Sequence, residues 1–82
     1  MDKQDIFKIV VKHSCEVIPE LEEQSITASH SLVDLGANSV DRAEIVMMTM
    51  EALNLQIPRV ELFGVKNIEQ LVEVIYEKLQ TR

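Results

Sequence analysis

Ser39 stands where a turn, Gly36-Ala37-Asn38, runs into a helical pattern, and a hydroxyl at that point has several possible uses. It can cap the helix, the ordinary task of a serine at a helix N-terminus. Another use, as a catalytic nucleophile, has little behind it. The second glycine of a nucleophile elbow is missing, and neither His13 nor His30 is placed so as to identify a base. Cys15 is the single cysteine, so no internal disulfide can form, and it reads as a small hydrophobe on the first helix. The two histidines are not spaced for metal binding on one helical turn, and no metal site is expected. His13 reads as a core-edge side chain and His30 as a solvated loop residue.

The elements that hold Ser39 must do so with a thin core, because the chain has only 82 residues. Hydrophobic residues make up 46% of it but aromatics only 4%, so aliphatic side chains and four Met fill the interior. That composition suits helix-on-helix packing. Two Gly and two Pro are too few for the tight turns of a small all-β fold. No apolar run is long enough to span a membrane. The start, Met1-Asp2-Lys3-Gln4-Asp5, has no signal-peptide pattern, which makes a cytoplasmic setting the expectation. With 14 acidic against 8 basic residues the net charge is −6. Nucleic acid is excluded as a partner, since it is bound by clustered Lys and Arg, and basic protein surfaces are favoured.

Periodicity places a first helix from Asp2 to Val17, with Asp2 as N-cap and Ile6, Ile9, Val10, His13 and Val17 at helical spacing. Pro19 closes it. From Glu20 to Asn38 runs a long connection tacked to the core by Ile26, Leu32 and Leu35. Asn38 caps a second helix, with Asp41 in its first turn, reaching about Leu55. Pro58 to Phe63 forms one or two short helical turns before Gly64. Asn67, with Gln70 as its capping-box partner, opens a last helix whose apolar face is Ile68, Leu71, Val72, Ile75 and Leu79. The expected fold is all-α: a small four-helix bundle, three main helices and one short one, with a long first loop. Residues 1–82 are expected to form one domain.

Around the second helix, Ile45, Val46, Thr49, Ala52 and Leu53 cluster on one side. Val40, Met47 and, at the edge, Met50 share the other with Glu44 and Glu51. Carboxylates are rarely buried unpaired, so this second side should face water. Val40 and Met47 then form an apolar strip rimmed by Asp41, Glu44 and Glu51. Such a strip suits docking, although scattered surface hydrophobes also occur without function.

The stretch Asp34-Leu35-Gly36-Ala37-Asn38-Ser39-Val40-Asp41 resembles the phosphopantetheine attachment motif of acyl carrier proteins. There Leu-Gly, a variable residue, Asp, Ser and a hydrophobic residue lie between a long loop and an acidic helix. The resemblance runs from about Asp2 to Leu79 and includes length, acidity and helix order. It implies that a phosphopantetheinyl transferase moves 4′-phosphopantetheine from coenzyme A onto Ser39. The arm then carries an acyl thioester, and the chain itself performs no catalysis. Asn38, Val40, Asp41, Glu44, Met47 and Glu51 fall where carrier proteins meet their enzymes. Asn38 departs from the family's usual Asp, which keeps a cap but removes a charge and bears on which transferases recognise the site.

A narrower likeness lies in Gly36–Glu44 and in Ile57-Pro58-Arg59-Val60-Glu61-Leu62-Phe63-Gly64, which look like the freestanding donor carriers of polyketide β-branching cassettes. It implies malonyl loading by an acyltransferase, decarboxylation to acetyl by a ketosynthase-like enzyme, and delivery to a hydroxymethylglutaryl (HMG)-synthase-type enzyme. The chain is expected to act as a monomer. Two alternatives stand beside this reading: a carrier of fatty-acid synthesis, and a helical interaction module in which Ser39 is only a cap. Arg42 and Arg59 could pair locally or touch an acidic enzyme surface.

Overall fold

Asp2 starts the first helix by accepting a hydrogen bond from the Asp5 N–H at 2.8 Å, while the Asp5 carboxylate accepts from the Asp2 N–H at 3.4 Å. This reciprocal box satisfies donors that a helix N-terminus otherwise leaves unpaired. The protein is described by a computed structural model covering residues 1–62 and 64–81, and of Arg59 the backbone alone. Its helices are α1 (Lys3–Val17), α2 (Ser39–Leu53) and α3 (Ile68–Thr81), with 3-10 turns at Pro19–Glu23 and Arg59–Leu62. The all-α bundle of three main helices is as the sequence leads one to expect. The short fourth helix is a single 3-10 turn, and Phe63, where it was expected to end, lies outside the described residues. None of the described helices is long and apolar enough to cross a membrane.

Pro19 does more than stop α1. It opens the first 3-10 turn, whose fixed φ suits a first helical position. That turn drives Leu21 into the core, where it is 1% exposed. Leu21 is therefore the main anchor of the connection, ahead of the half-buried Ile26 and Leu32. Leu35 and Ala37 are buried further along. Between them, the carbonyls of Ala28 and His30 accept the Glu69 and Ile68 N–H groups, each at 2.9 Å. The Thr27 N–H donates to His30 Nδ1 at 3.1 Å. His30 is thus half-buried and built into the loop, not solvated as its polar neighbours suggest.

α1 packs against both α2 and α3, and the second 3-10 turn packs on α3, where Glu61 pairs with Lys78 at 2.6 Å. Among the described residues α2 and α3 make no close backbone approach to each other. Two mid-helix hydroxyls are buried at the α1 side and both are satisfied. Ser14 donates to the Val10 carbonyl at 2.8 Å, and Thr49 to the Ile45 carbonyl at 2.9 Å. His13 Nδ1 sits 3.1 Å from the Thr49 hydroxyl. With the Thr49 proton committed to Ile45, Nδ1 must be the donor in that contact.

The buried stripe of α2 is narrow: Ile45, Thr49 and Leu53. Ala52, expected on that side, is exposed. The helix ends at Leu53, two residues before the expected limit, because Asn54 turns left-handed at φ 53°. The Asn54 N–H then reaches the Glu51 carbonyl at 3.2 Å and the Leu55 N–H that of Met50 at 2.9 Å, a Schellman closure. At α3, Asn67 accepts from the Gln70 N–H at 2.9 Å as expected. Gln70 reaches back one residue further, to the Lys66 N–H at 2.8 Å.

Leu21→Ala is expected to cost about 2–5 kcal/mol of stability in a denaturant titration. Val33→Ala, on the same connection but 60% exposed, should stay within about 0.5 kcal/mol of wild type.

Candidate functional site

The approach to Ser39 is built from two interlocking turns. Ser31 and Asp34 close the first reciprocally: the Asp34 N–H donates to Ser31 Oγ at 2.9 Å and the Ser31 N–H to Asp34 at 3.3 Å. The second reverses the chain at Gly36, whose φ of +94° is one that side chains resist. There the Gly36 N–H bonds Val33 O at 2.9 Å and the Ala37 N–H bonds Leu32 O at 3.0 Å. Ala37 follows as a buried plug, 4% exposed. Asn38 then caps α2, accepting the Asp41 N–H at 2.8 Å, and Asp41 returns the contact to the Asn38 N–H at 3.4 Å.

Ser39 is the first residue of α2, one position past the cap, and it is exposed. Among the described residues its hydroxyl has no hydrogen-bond partner. The capping role open to Ser39 in the sequence belongs to Asn38. Neither imidazole is beside it: His13 meets Thr49 and His30 meets Thr27.

Beside Ser39 opens a cleft of about 970 Å³ between α2 and the start of α3. Val46 and Met50 form one wall, Val65, Ile68 and Leu71 the other. Val33 and Val40, 60% and 70% exposed, stand at its margin. Arg42, Glu44 and Lys66 are its charged lining. Val33 and Lys66 are lining residues that the sequence reading does not single out. A signal for Val33 existed, since three apolar residues in the four from Leu32 to Leu35 exceed what anchoring needs.

The expected docking strip is present in part. Val40 and Met47, 70% and 52% exposed, share an outer surface with exposed Glu44 and Glu51. Asp41 differs, being half-buried with its carboxylate turned to the Asn38 N–H. Arg42 makes a local contact through Nη1 to the Ala37 carbonyl at 3.2 Å, and the Arg59 side chain lies outside the described residues. Away from this region, burial and then the Glu22 carboxylate push the Cys15 thiol above its ordinary range, which keeps it protonated and inert at neutral pH.

An exposed, unpartnered hydroxyl at the N-terminus of a 15-residue helix and beside a cleft fits a covalently tethered phosphate-bearing arm. Because the fold does not use that hydroxyl, Ser39→Ala should change stability by less than about 0.5 kcal/mol. Asn38→Ala should cost about 1 kcal/mol by loss of the cap. Thermal unfolding of the two variants checks the contrast, and the reverse order would make Ser39 the capping residue.

Comparison with known proteins agrees with this geometry. Residues 10–75 match the family model for the phosphopantetheine attachment site. The chain is 54% identical over 81 residues to the polyketide biosynthesis acyl-carrier-protein AcpK of Bacillus subtilis, covering 99% of each. It is 32% identical over 80 residues to an acyl carrier protein of Cyanidium caldarium, covering 98% of this chain and 93% of the other. Among solved structures it resembles a chain in the crystal structure of the curacin biosynthetic pathway HMG synthase in complex with acetyl donor-ACP. That match has a TM-score of 0.89 and 47% identity, over 95% of this chain and 100% of the other. A chain that matches the attachment-site family over residues 10–75 and carrier proteins along nearly its whole length belongs to the acyl carrier proteins, non-catalytic subunits that bear a covalent 4′-phosphopantetheine.

Proposed function

We propose that Ser39 bears the arm and that the loaded chain donates acetyl to an HMG-synthase-type enzyme in polyketide β-branching. The likeness to the partner of the curacin HMG synthase carries the second half of this reading. The exposed, unpartnered hydroxyl supports the first half.

Ser39 loses its proton to a base of the phosphopantetheinyl transferase as its oxygen attacks the pantetheine-bearing phosphorus of coenzyme A. The P–O bond to 3′,5′-ADP breaks, and the new phosphodiester sits at the positive end of α2. When bound, the arm supplies a thiol on which acyl groups are held as thioesters. In this reading an acyltransferase loads malonyl and a ketosynthase-like enzyme releases CO₂ to leave acetyl. The chain's own contribution is to dock and to hold its cargo at high local concentration.

Docking falls to the outer face of α2. Val40 and Met47 offer apolar contact, Glu44 and Glu51 attract a basic surface, and Asn38 and Asp41 stand at the helix start. Met47 is suited to repacking against more than one enzyme. Asn38 leaves the helix start one negative charge short of the family pattern, which favours enzymes that do not rely on an acid at that point.

Intact mass after incubation with coenzyme A and a phosphopantetheinyl transferase is expected to show one arm on wild type and none on Ser39→Ala. Wild type left unmodified by several transferases would sink the attachment reading. The acetyl-loaded protein should serve an HMG-synthase-type enzyme, with an acetoacetyl-bearing acceptor, at least roughly tenfold better than an ordinary fatty-acid carrier. Equal rates from the two donors would instead leave a general carrier. Glu44→Lys with Glu51→Lys should weaken the same reaction and remove its sensitivity to salt.

A further inference from the structure

Arg42, whose task the sequence leaves open between a local pairing and an acidic enzyme surface, lines the same cleft as Ser39. The two residues are three apart on α2, a spacing that places side chains on neighbouring parts of one helix surface. Its guanidinium is drawn to the start of the helix by the bond from Nη1 to the Ala37 carbonyl. That bond uses one of five N–H donors. None of the rest meets a carboxylate: the ion pair among the described residues joins Lys78 to Glu61. Asp41, the nearest acid in sequence, turns its carboxylate to the Asn38 N–H, and Glu44 is exposed. A half-buried arginine with free donors, beside an exposed serine at a helix N-terminus, is a site short of an anion.

The arm brings that anion. We propose that the Arg42 guanidinium holds the phosphodiester on Ser39, so that the base of the arm is fixed between a cation and the positive end of α2. The proposal rests on Ser39 being the attachment point. It also gives a physical sense to Asn38. In a chain of net charge −6, a further phosphate beside an acidic helix start is disfavoured. An amide in place of an acid at 38 and a guanidinium at 42 both remove that penalty. Arg42 is a positioning residue here, since it touches the tether and not the reacting thioester. Lys66, the other cation of the cleft, is exposed and lies before α3, on the opposite wall.

The test compares apo and holo forms of wild type, Arg42→Gln, Arg42→Lys and Lys12→Ala at low ionic strength, with arm occupancy fixed by intact mass. Lys12 is exposed on α1 and serves as a control for net charge alone. In the holo form, Arg42→Gln should lower the melting temperature by about 2–5 °C more than it does in the apo form. It should also move the phosphorus-31 resonance of the phosphodiester toward its position in urea-unfolded holo protein. Arg42→Lys, which keeps the charge without the planar fork, should fall between, and it serves alone if Arg42→Gln does not fold. Equal losses in apo and holo with an unmoved resonance would overturn the proposal and leave Arg42 as a tie to Ala37. So would a Lys12→Ala effect as large as that of Arg42→Gln. A wild type that accepts no arm would remove the Ser39 reading and this one together, whereas a loaded wild type with insensitive variants removes this one only.

Discussion

Two backbone hydrogen bonds hold the long connection that leads to Ser39. The N–H groups of Ile68 and Glu69 open α3 and would be orphans of the helix start, and they donate to His30 and Ala28 in the long connection. The helix gains partners for its first donors, and the connection gains a fixed position without any regular structure of its own. Leu21 before this strap, and Leu35 and Ala37 after it, then fasten the chain on both sides. Ser39 follows two residues beyond Ala37. Its place in the molecule is thus set by a loop held to α3, although Ser39 itself belongs to α2.

The same arrangement explains the cleft. Among the described residues the backbones of α2 and α3 stay apart, while α1 approaches both and side chains of all three share one core. The 3-10 turn at Arg59–Leu62 packs on α3, where Glu61 pairs with Lys78, and its Leu62 joins the lining of the opening. Val46, Met50 and Leu71 both pack with the core and line the opening.

Much of this was legible in the residues, and the misses have physical causes. Caps are read locally, from one side chain and an N–H three residues on, so Asp2, Asn38 and Asn67 were all identifiable. The face of α3 follows from periodicity because Ile68, Leu71, Val72 and Ile75 are buried along a broad stripe, and in α1 half-buried Ile9, His13 and Val17 flank the buried Ile6, Val10 and Ser14. α2 is less regular to the eye, since about half its apolar residues line a cleft, and Ala52, placed inward by periodicity, is exposed. Leu21 escaped notice because its burial depends on a 3-10 turn started by Pro19, a residue that also reads simply as a helix stop. His30 looked solvated among polar neighbours, and only the tertiary bond from its carbonyl to α3 shows otherwise. For the site, the attachment motif was visible as a pattern, but the idleness of the Ser39 hydroxyl was not. That required seeing Asn38 take the capping bond.

Division of tasks at the start of α2 is what lets one short helix serve two purposes. Asn38 and Asp41 stabilise its first turn by bonding each other's N–H groups, which frees Ser39 from any structural duty. Past that turn the helix presents different chemistry on its two open sides. The outer side carries Val40, Met47, Glu44 and Glu51, a surface that attracts basic partners over a distance of about one Debye length, ~8–10 Å. The cleft side carries Arg42 with Val46 and Met50, a partly enclosed surface where a single cation acts on an anion with less screening. Glu44 reaches the rim of that cleft as well, but among the described residues it forms no ion pair, and Arg42 stays bonded to the Ala37 carbonyl. With Ser39 as the proposed attachment point, Glu44 and Glu51 favour basic partners while Arg42 offsets the charge at the root of the arm.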